Sequence, residues 1–592
     1  MVDDHYPKID FKNLSWEEYA LILGIFLALI IYAAHIAQYK QIPSPIFGGD
    51  LYRDRGFVKN IVAGNPIWSD GFYANEIQYY PYLIFAVEAG FSKITGASVD
   101  GTFLYFPLLV ILLAGIIWYL LGIRMFRSKK WAALTGLAFL GMTFFYFPKS
   151  AGVALFVTVP LFLYFWLKYE QEGSNKDGIY AGVMLGITAL TWGGAFAGIA
   201  LTCALVVSYY FIRDTISSYK DHGIKAIPHT ILKFIKKYYL MIIIAFVISM
   251  IFFLPLILKY QLHEYNLVTK WGDAKIDLLG PSWIFTNLKY IFFDTTNITT
   301  FLTTIVALAG FIVIAVSKKT KETEFILAVF LSNIIILEHH LITRPLLNWW
   351  FLPAKMVYFT YMEPLFFVLG IIALYSLIKN STARKTILIV AVVICTLAFV
   401  NKYDSTLADT WDQAGRGDPS YTNALYNLGS FLENSMQKNE TVLSNDESGF
   451  MLAIVSGRKV MLTRRTHASY YVDIDQRIAD ASVAMYGHDI NKTIEILSKY
   501  NVKYFYVDQQ LFQYPMRVRP ELKEYLQQNA INFSEVYDRY DIAVTPENAN
   551  MQNLLIIPPQ NITTEFTSLW TPVYTVSVGG QPVGEVYALK NG

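Results

Sequence analysis

Asp50 stands in the segment GGDLYRDRG, with Tyr52, Arg53, Asp54 and Arg55 close behind it. The two glycines before it permit a tight turn that presents the carboxylate at its tip. A carboxylate so placed can act as a general base toward a hydroxyl or amide, or can ligate a metal. The competing reading is a solvated loop acid, or an acid paired with Arg53 or Arg55. Asp54 has an arginine on either side and is expected to be structural. Asp70, in NPIWSDG, has the pattern of a turn residue, with contact to a substrate as the alternative.

Two groups of cations could complement such a carboxylate. Lys149 stands alone in FPKSAG between two apolar runs. It reads either as a lysine snorkelling to the membrane edge or as a phosphate contact. His339, His340, Arg344 and Lys355 lie in HHLITRPLLNWWFLPAK, where Pro345 and Pro353 interrupt any helix. Arg344 and Lys355 could face one pocket, hold an anionic leaving group and stabilise the charge it develops. The paired histidines could bind a metal, although a bare His-His is weak evidence and surface histidines are commoner. Trp349 and Trp350 match an aromatic belt at a membrane edge. Glu264, Asp273, Asp277 and Asp294 fit no metal-loop spacing, and no metal ligands are assigned.

The elements that must carry these residues lie largely in a membrane. Of 592 residues, 54% are hydrophobic and only 16% charged, and mean hydropathy is +0.37. That is too apolar for a soluble globule, and the apolar residues come in blocks long enough to cross a bilayer. A net charge of +2 is uninformative about nucleic acid, but the chain has no basic tail and no aromatic–basic interleaving, so no nucleic-acid partner is expected. Cys203 and Cys395 both fall inside apolar runs and are expected to pack there rather than pair. The N-terminal segment is acidic and lacks a basic signal-peptide start, so the first span is expected to remain as an anchor.

Eleven spans are expected, near 17–37, 102–122, 132–147, 152–168, 179–194, 196–212, 238–258, 299–316, 324–338, 356–378 and 385–400. Residues 81–95 are apolar but short, and read as a helix lying on the membrane, since a crossing needs about 20 residues. With the N-terminus inside, GIRMFRSKKW, the basic 214–238 segment, SKKTKET and KNSTARK all fall on the cytoplasmic side, as the positive-inside rule requires. Residues 1–400 then form the membrane domain, with a large first outer loop at 38–101. Residues 401–592 lie outside the cytoplasm. There helix-like and strand-like segments alternate, which argues for an α/β domain.

This order of features resembles the GT-C membrane glycosyltransferases, and within them the catalytic subunit of oligosaccharyltransferase of the archaeal AglB type. The residues that carry the resemblance are Asp50 with Tyr52 and Arg53, Gly64-Asn65-Pro66 followed by Asp70, the run YYPYLIFAVEAGFSKITGAS, the spacing of the spans and the opening of the α/β domain. Two motifs depart from that family. Its Trp-Trp-Asp-Tyr-Gly is replaced by SNDESGF, with Asp446 and Gly449 but no tryptophan. Its acidic pair between spans three and four is replaced by FPKSAG.

A lipid pyrophosphate is commonly neutralised by a metal ion, whereas a monophosphate can be held by Lys and Arg alone. The resemblance with these departures therefore implies an inverting, metal-independent glycosyltransferase of the outer membrane face. Its donor would be a polyprenyl (dolichyl) phosphate-linked sugar, and its acceptor a glycan, a lipid-linked glycan or a protein. Asp50 would be the catalytic base. Tyr52, Arg53, Asp70, Lys149, His339, His340, Arg344 and Lys355 would bind substrate. An oligosaccharyltransferase acting on asparagine, which would need a divalent metal, is the alternative. A carrier of lipid-linked glycan without turnover is a third reading.

Overall fold

The computed structural model describes residues 14–43, 49–142, 149–263, 265, 298–316, 320–339, 341, 343, 346, 362–407, 411–508, 511, 515–537, 552–559 and 561–590. They fall into two compact units. The first comprises Met1–Gln38, Leu104–Phe253 and Pro281–Asp409, and the second Tyr39–Phe103, Leu254–Gly280 and Thr410–Gly592. Residues 39–103, expected to belong with the 1–400 membrane domain, thus group with the C-terminal residues.

The first unit is helical. Five described helices are long and apolar enough to cross a membrane: Trp16–Ile36, Val99–Phe126, Gly193–Lys225, Ile227–Tyr260 and Ser381–Val400. A sixth is added if Phe301–Val316 and Lys321–Leu337 form one bent span. Each of the eleven expected spans contains a described helix, but several, such as Lys129–Met142, Asn175–Thr191 and Met362–Leu377, are shorter than the roughly 20 residues of a straight crossing. Multi-pass membrane character therefore holds, while eleven crossings is not a number these helices establish.

Local chemistry explains the helix boundaries. Ser15 caps Trp16–Ile36 in a capping box: its hydroxyl accepts from the Glu18 amide, and the Glu18 carboxylate accepts from the Ser15 amide. Between Ser150 and Glu172 the helix widens into a π turn at Ala154–Thr158, just before Pro160. Proline lacks the amide that would continue the ladder, and such widening accommodates its loss. The helices Ile298–Val316 and Met362–Leu377 meet backbone to backbone. A Cβ on Gly310 would collide with the Phe366 carbonyl, and one on Gly370 with the Val306 carbonyl. Small residues at a crossing are what allow such approach where burial alone supplies no drive between helices.

The second unit carries the α/β architecture. Its strands are β1 (Thr441–Leu443), β2 (Lys459–Val460), β3 (Val502–Asp508), β4 (Met516–Val518), β5 (Phe533–Tyr537), β6 (Gln552–Ile556), β7 (Trp570–Val578) and β8 (Gln581–Leu589). A mixed five-stranded sheet runs β2-β1-β3-β8-β7, and a smaller antiparallel sheet runs β4-β6-β5. The β1–β2 and β1–β3 pairs are parallel, β3–β8 and β7–β8 antiparallel. Parallel neighbours need helical crossovers, and the helix Asp446–Ser456 between β1 and β2 supplies one. It is buried from Ser448 to Ser456, and Asn445 caps it by accepting from the Ser448 amide at 2.7 Å.

Candidate active site

The first-loop segment is a helix, Gly49–Val62, rather than a bare loop. Gly49 enters it at φ 73°, a left-handed conformation suited to glycine. The helix is polar, yet Leu51 to Val58 and Asn60 are buried. It packs against the helices Leu83–Thr95 and Asp446–Ser456. Phe57 anchors it, with ring centroids 5.4 Å from Phe72 and 5.0 Å from Phe85.

Burying so many charges is costly unless each is paired, and they are. Arg53 donates from Nε and Nη2 to the Asp54 Oδ1 atom at 3.0 and 2.7 Å. Its guanidinium also lies 4.3 Å from the centroid of the Tyr80 ring. Arg55 binds Asp100 at 2.6 Å and the Ile454 carbonyl at 2.5 Å, and lies over the Tyr426 ring. Lys59 pairs with Glu433 at 2.6 Å. Lys459 donates to Asn60 Oδ1 at 2.8 Å and to the Asp70 carbonyl.

Asp50 differs from these. Its side chain is 50% exposed, against 10% for Arg53 and 1% for Asp54. It sits in the first turn, where the helix dipole favours negative charge. Arg53 Nη1 holds one carboxylate oxygen at 3.2 Å, and that same oxygen lies 3.8 Å from His467 Nε2. The His467 ring packs on Phe450 at 4.8 Å, and its carbonyl accepts from the Tyr79 hydroxyl at 2.7 Å. Tyr79 in turn meets Tyr470 edge to face at 5.1 Å. The result is a half-open carboxylate in the first turn of a largely buried helix, held by Arg53 and faced by the His467 imidazole, with aromatic rings behind. It can accept a proton or bind a cation.

The other expected site residues divide. Arg53 supports Asp50 directly. Asp70 and Tyr52, both expected to bind substrate, are 0% exposed. Asp70 is a turn residue: its Oδ1 accepts from the amides of Phe72 and Tyr73, each at 2.8 Å. Burial pushes its carboxyl up to about 6, and also pulls the Lys459 ammonium down to about 8. Tyr52 belongs to the core of the helix packing. Lys149 lies in the first unit, where its carbonyl accepts from the Gly152 amide at 2.8 Å ahead of the helix that follows. His339 follows the helix Lys321–Leu337, with Nδ1 2.7 Å from the Ile336 carbonyl. His340, Arg344 and Lys355 lie outside the described residues.

Sequence reasoning missed His467, Tyr79, Tyr80 and Phe450. A single histidine in RRTHASYY has no spacing that marks it. Its meaning comes only from the distant Asp50. Asp446, in place of the tryptophan motif, opens a helix half-buried, and desolvation raises its carboxyl.

No family model matches the chain. Over 125 residues it is 30% identical to the uncharacterized protein MJ1080 of Methanocaldococcus jannaschii, covering 21% of this chain and 91% of that protein. The chain belongs to the family of MJ1080. Among solved structures it is similar to the Archaeoglobus fulgidus oligosaccharyltransferase tethered with an acceptor peptide containing the NVT sequon. The TM-score is 0.52 at 13% identity, over 95% of this chain and 79% of that one. It is also similar to ArnT from Cupriavidus metallidurans bound to undecaprenyl phosphate, with TM-score 0.51 at 10% identity over 91% and 99% of the two chains. A third likeness is to the arabinofuranosyltransferase AftD from mycobacteria, with TM-score 0.51 at 13% identity over 99% of this chain and 40% of that longer one. At such identities the likeness is one of fold, and this member of the MJ1080 family has the GT-C fold, resembling oligosaccharyltransferase.

Proposed function

We propose that this protein is an integral-membrane, inverting glycosyltransferase. It takes a sugar from a polyprenyl (dolichyl-type) phosphate and delivers it to a glycan or lipid-linked acceptor on the outer face. The observation that carries the reading is Asp50: on a GT-C scaffold, a half-exposed carboxylate opens a helix whose next charges, Arg53, Asp54 and Arg55, are buried and paired. A base must reach the proton it abstracts, and Asp50 is the acid of that helix open to do so.

In the reaction, the acceptor hydroxyl gives its proton to Asp50 as its oxygen attacks the anomeric carbon. The bond from that carbon to the phosphate oxygen breaks, and the electron pair leaves with the lipid phosphate. Attack opposite the leaving group inverts the anomeric centre. Arg53 holds the carboxylate in place throughout. The proposal assigns the phosphate to Lys149, Arg344 and Lys355, with His339 and His340 as further donors, because lysine and arginine can hold a monophosphate without a metal.

ArnT, described bound to undecaprenyl phosphate, supports the donor class. The positive-inside pattern supports a cytoplasmic N-terminus, with residues 401–592 outside. The departures at SNDESGF and FPKSAG weigh against transfer to asparagine.

The test is transfer by the full chain in lipid vesicles supplied with radiolabelled polyprenyl-phosphate sugars and membrane glycolipid acceptors. Transfer that persists in EDTA, with an inverted product, is expected. EDTA-sensitive transfer to a sequon peptide would instead make it an oligosaccharyltransferase. Tight donor binding with no product on any acceptor would make it a carrier.

A further inference from the structure

Asp50 gains a proton in the proposed reaction and must lose it before the next turnover. We propose that His467 receives that proton, an inference that rests on the reading of Asp50 as the base. His467 Nε2 faces Asp50 Oδ1 at 3.8 Å, and Nδ1 lies 3.0 Å from Thr466 Oγ1. The partner of one ring nitrogen determines which nitrogen carries the proton. With Nδ1–H donated to the Thr466 hydroxyl, the lone pair of Nε2 is the one turned to Asp50. The ring cannot easily turn away, because it packs on Phe450 at 4.8 Å and its backbone carbonyl is held by the Tyr79 hydroxyl.

At 3.8 Å the two groups are in ion-pair range and short of a hydrogen bond. A small rotation of the half-exposed Asp50 side chain about its contact with Arg53 would close that gap. The sequence of steps balances. The acceptor O–H breaks and its proton goes to an Asp50 oxygen, while the new C–O bond forms and the sugar–phosphate bond breaks. The proton then passes from Asp50 to Nε2, which leaves an imidazolium beside a carboxylate. Water removes the proton from the imidazolium.

The charged and titratable groups around His467 set how it responds to pH. Asp50, itself paired with Arg53, faces it from the helix Gly49–Val62, and Tyr79, backed by Tyr470, bonds its carbonyl from the segment that follows. Across the Phe450 ring lies Arg464, whose charge is met by Glu447. An imidazolium at His467 cannot receive a second proton, so the proposed transfer needs the neutral ring.

The experiment measures kcat and KM against pH for the full chain in vesicles, comparing wild type with His467→Gln, Thr466→Val and Asp50→Asn. Glutamine keeps a polar group beside Asp50 but cannot take a proton. The wild type should show an acid limb that depends on His467. H467Q should lose that limb and about a hundredfold or more in kcat, with KM little changed, in line with the size of proton-transfer effects. T466V, a change at a half-buried position, should move the limb to lower pH by removing the partner of Nδ1. Wild-type kcat and an unmoved limb in H467Q would overturn the inference. If H467Q fails to fold, an unmoved limb in T466V would do the same. Full activity in D50N would sink the reading of Asp50 itself. An inactive D50N beside an unaffected H467Q would sink only the role of His467.

Discussion

The Asp50 carboxylate and the His467 imidazole, from opposite ends of the chain, lie 3.8 Å apart within the second compact unit. The helix that carries Asp50 is bound into the C-terminal fold by pairs that each join a first-loop residue to a distant one: Lys59 to Glu433, Lys459 to Asn60, and the Asn65 amide to the Gly457 carbonyl at 3.2 Å. The candidate base is therefore positioned by the α/β domain and not by a free loop.

Arg53 links the buried acid Asp54 to the open acid Asp50. Arg53→Ala should cost about 3–5 kcal/mol of stability, because it leaves Asp54 buried without its cation. The double variant R53A/D54N should recover much of that loss. Thermal unfolding in detergent checks both. Equal stability of the single and double variants would show that the pair does not act as described.

Asp70 makes a pH prediction. Its carboxyl titrates near 6 in the folded protein because burial disfavours its charge, above its ordinary value. A raised carboxyl holds its proton longer in the folded state than in the unfolded one. Stability from this group is therefore complete below the ordinary carboxylate range and is lost as pH rises through about 6. Asparagine at this position can still accept the two turn amides. Asp70→Asn should therefore match or exceed wild-type stability near pH 7, by an amount on the order of 1–3 kcal/mol. The difference between the two should shrink toward pH 4. A difference that stays flat from pH 4 to 7 would contradict this.

Gly310 and Gly370 let two helices touch backbone to backbone. Gly310→Val should push them apart and cost about 1–3 kcal/mol, the usual scale for overpacking, with a matching drop in the unfolding temperature. An unchanged unfolding temperature would mean the crossing is not as close as described.

Much of this architecture is legible in the residues. The apolar blocks mark the helices, and VKYFYVD marks β3 at its observed bounds, because period and composition are local signals. The helices Ser420–Ser435 and Ile490–Lys499 fall where their apolar spacing puts them. The first outer loop is harder to read. GDLYRDRGFVKN looks like a solvated loop because its charges are visible and their partners are not: Asp100, Glu433 and the Ile454 carbonyl all lie far along the chain. Asp50 stands out because two glycines precede it. His467 does not, since one histidine among arginines and tyrosines has no period, no partner nearby and no motif. Asp70 carries both its roles in the sequence, and only its burial and its two amide bonds decide for the turn.

The most direct measurement is the transfer rate of Asp50→Asn in vesicles loaded with a polyprenyl-phosphate sugar and its acceptor, with donor binding measured on the same sample. This substitution keeps the size of the side chain and removes its basicity. If Asp50 is the base, transfer falls by at least about a hundredfold, the usual worth of a positioned proton acceptor, while donor binding stays within a few-fold of wild type. Transfer at the wild-type rate with normal binding would contradict it.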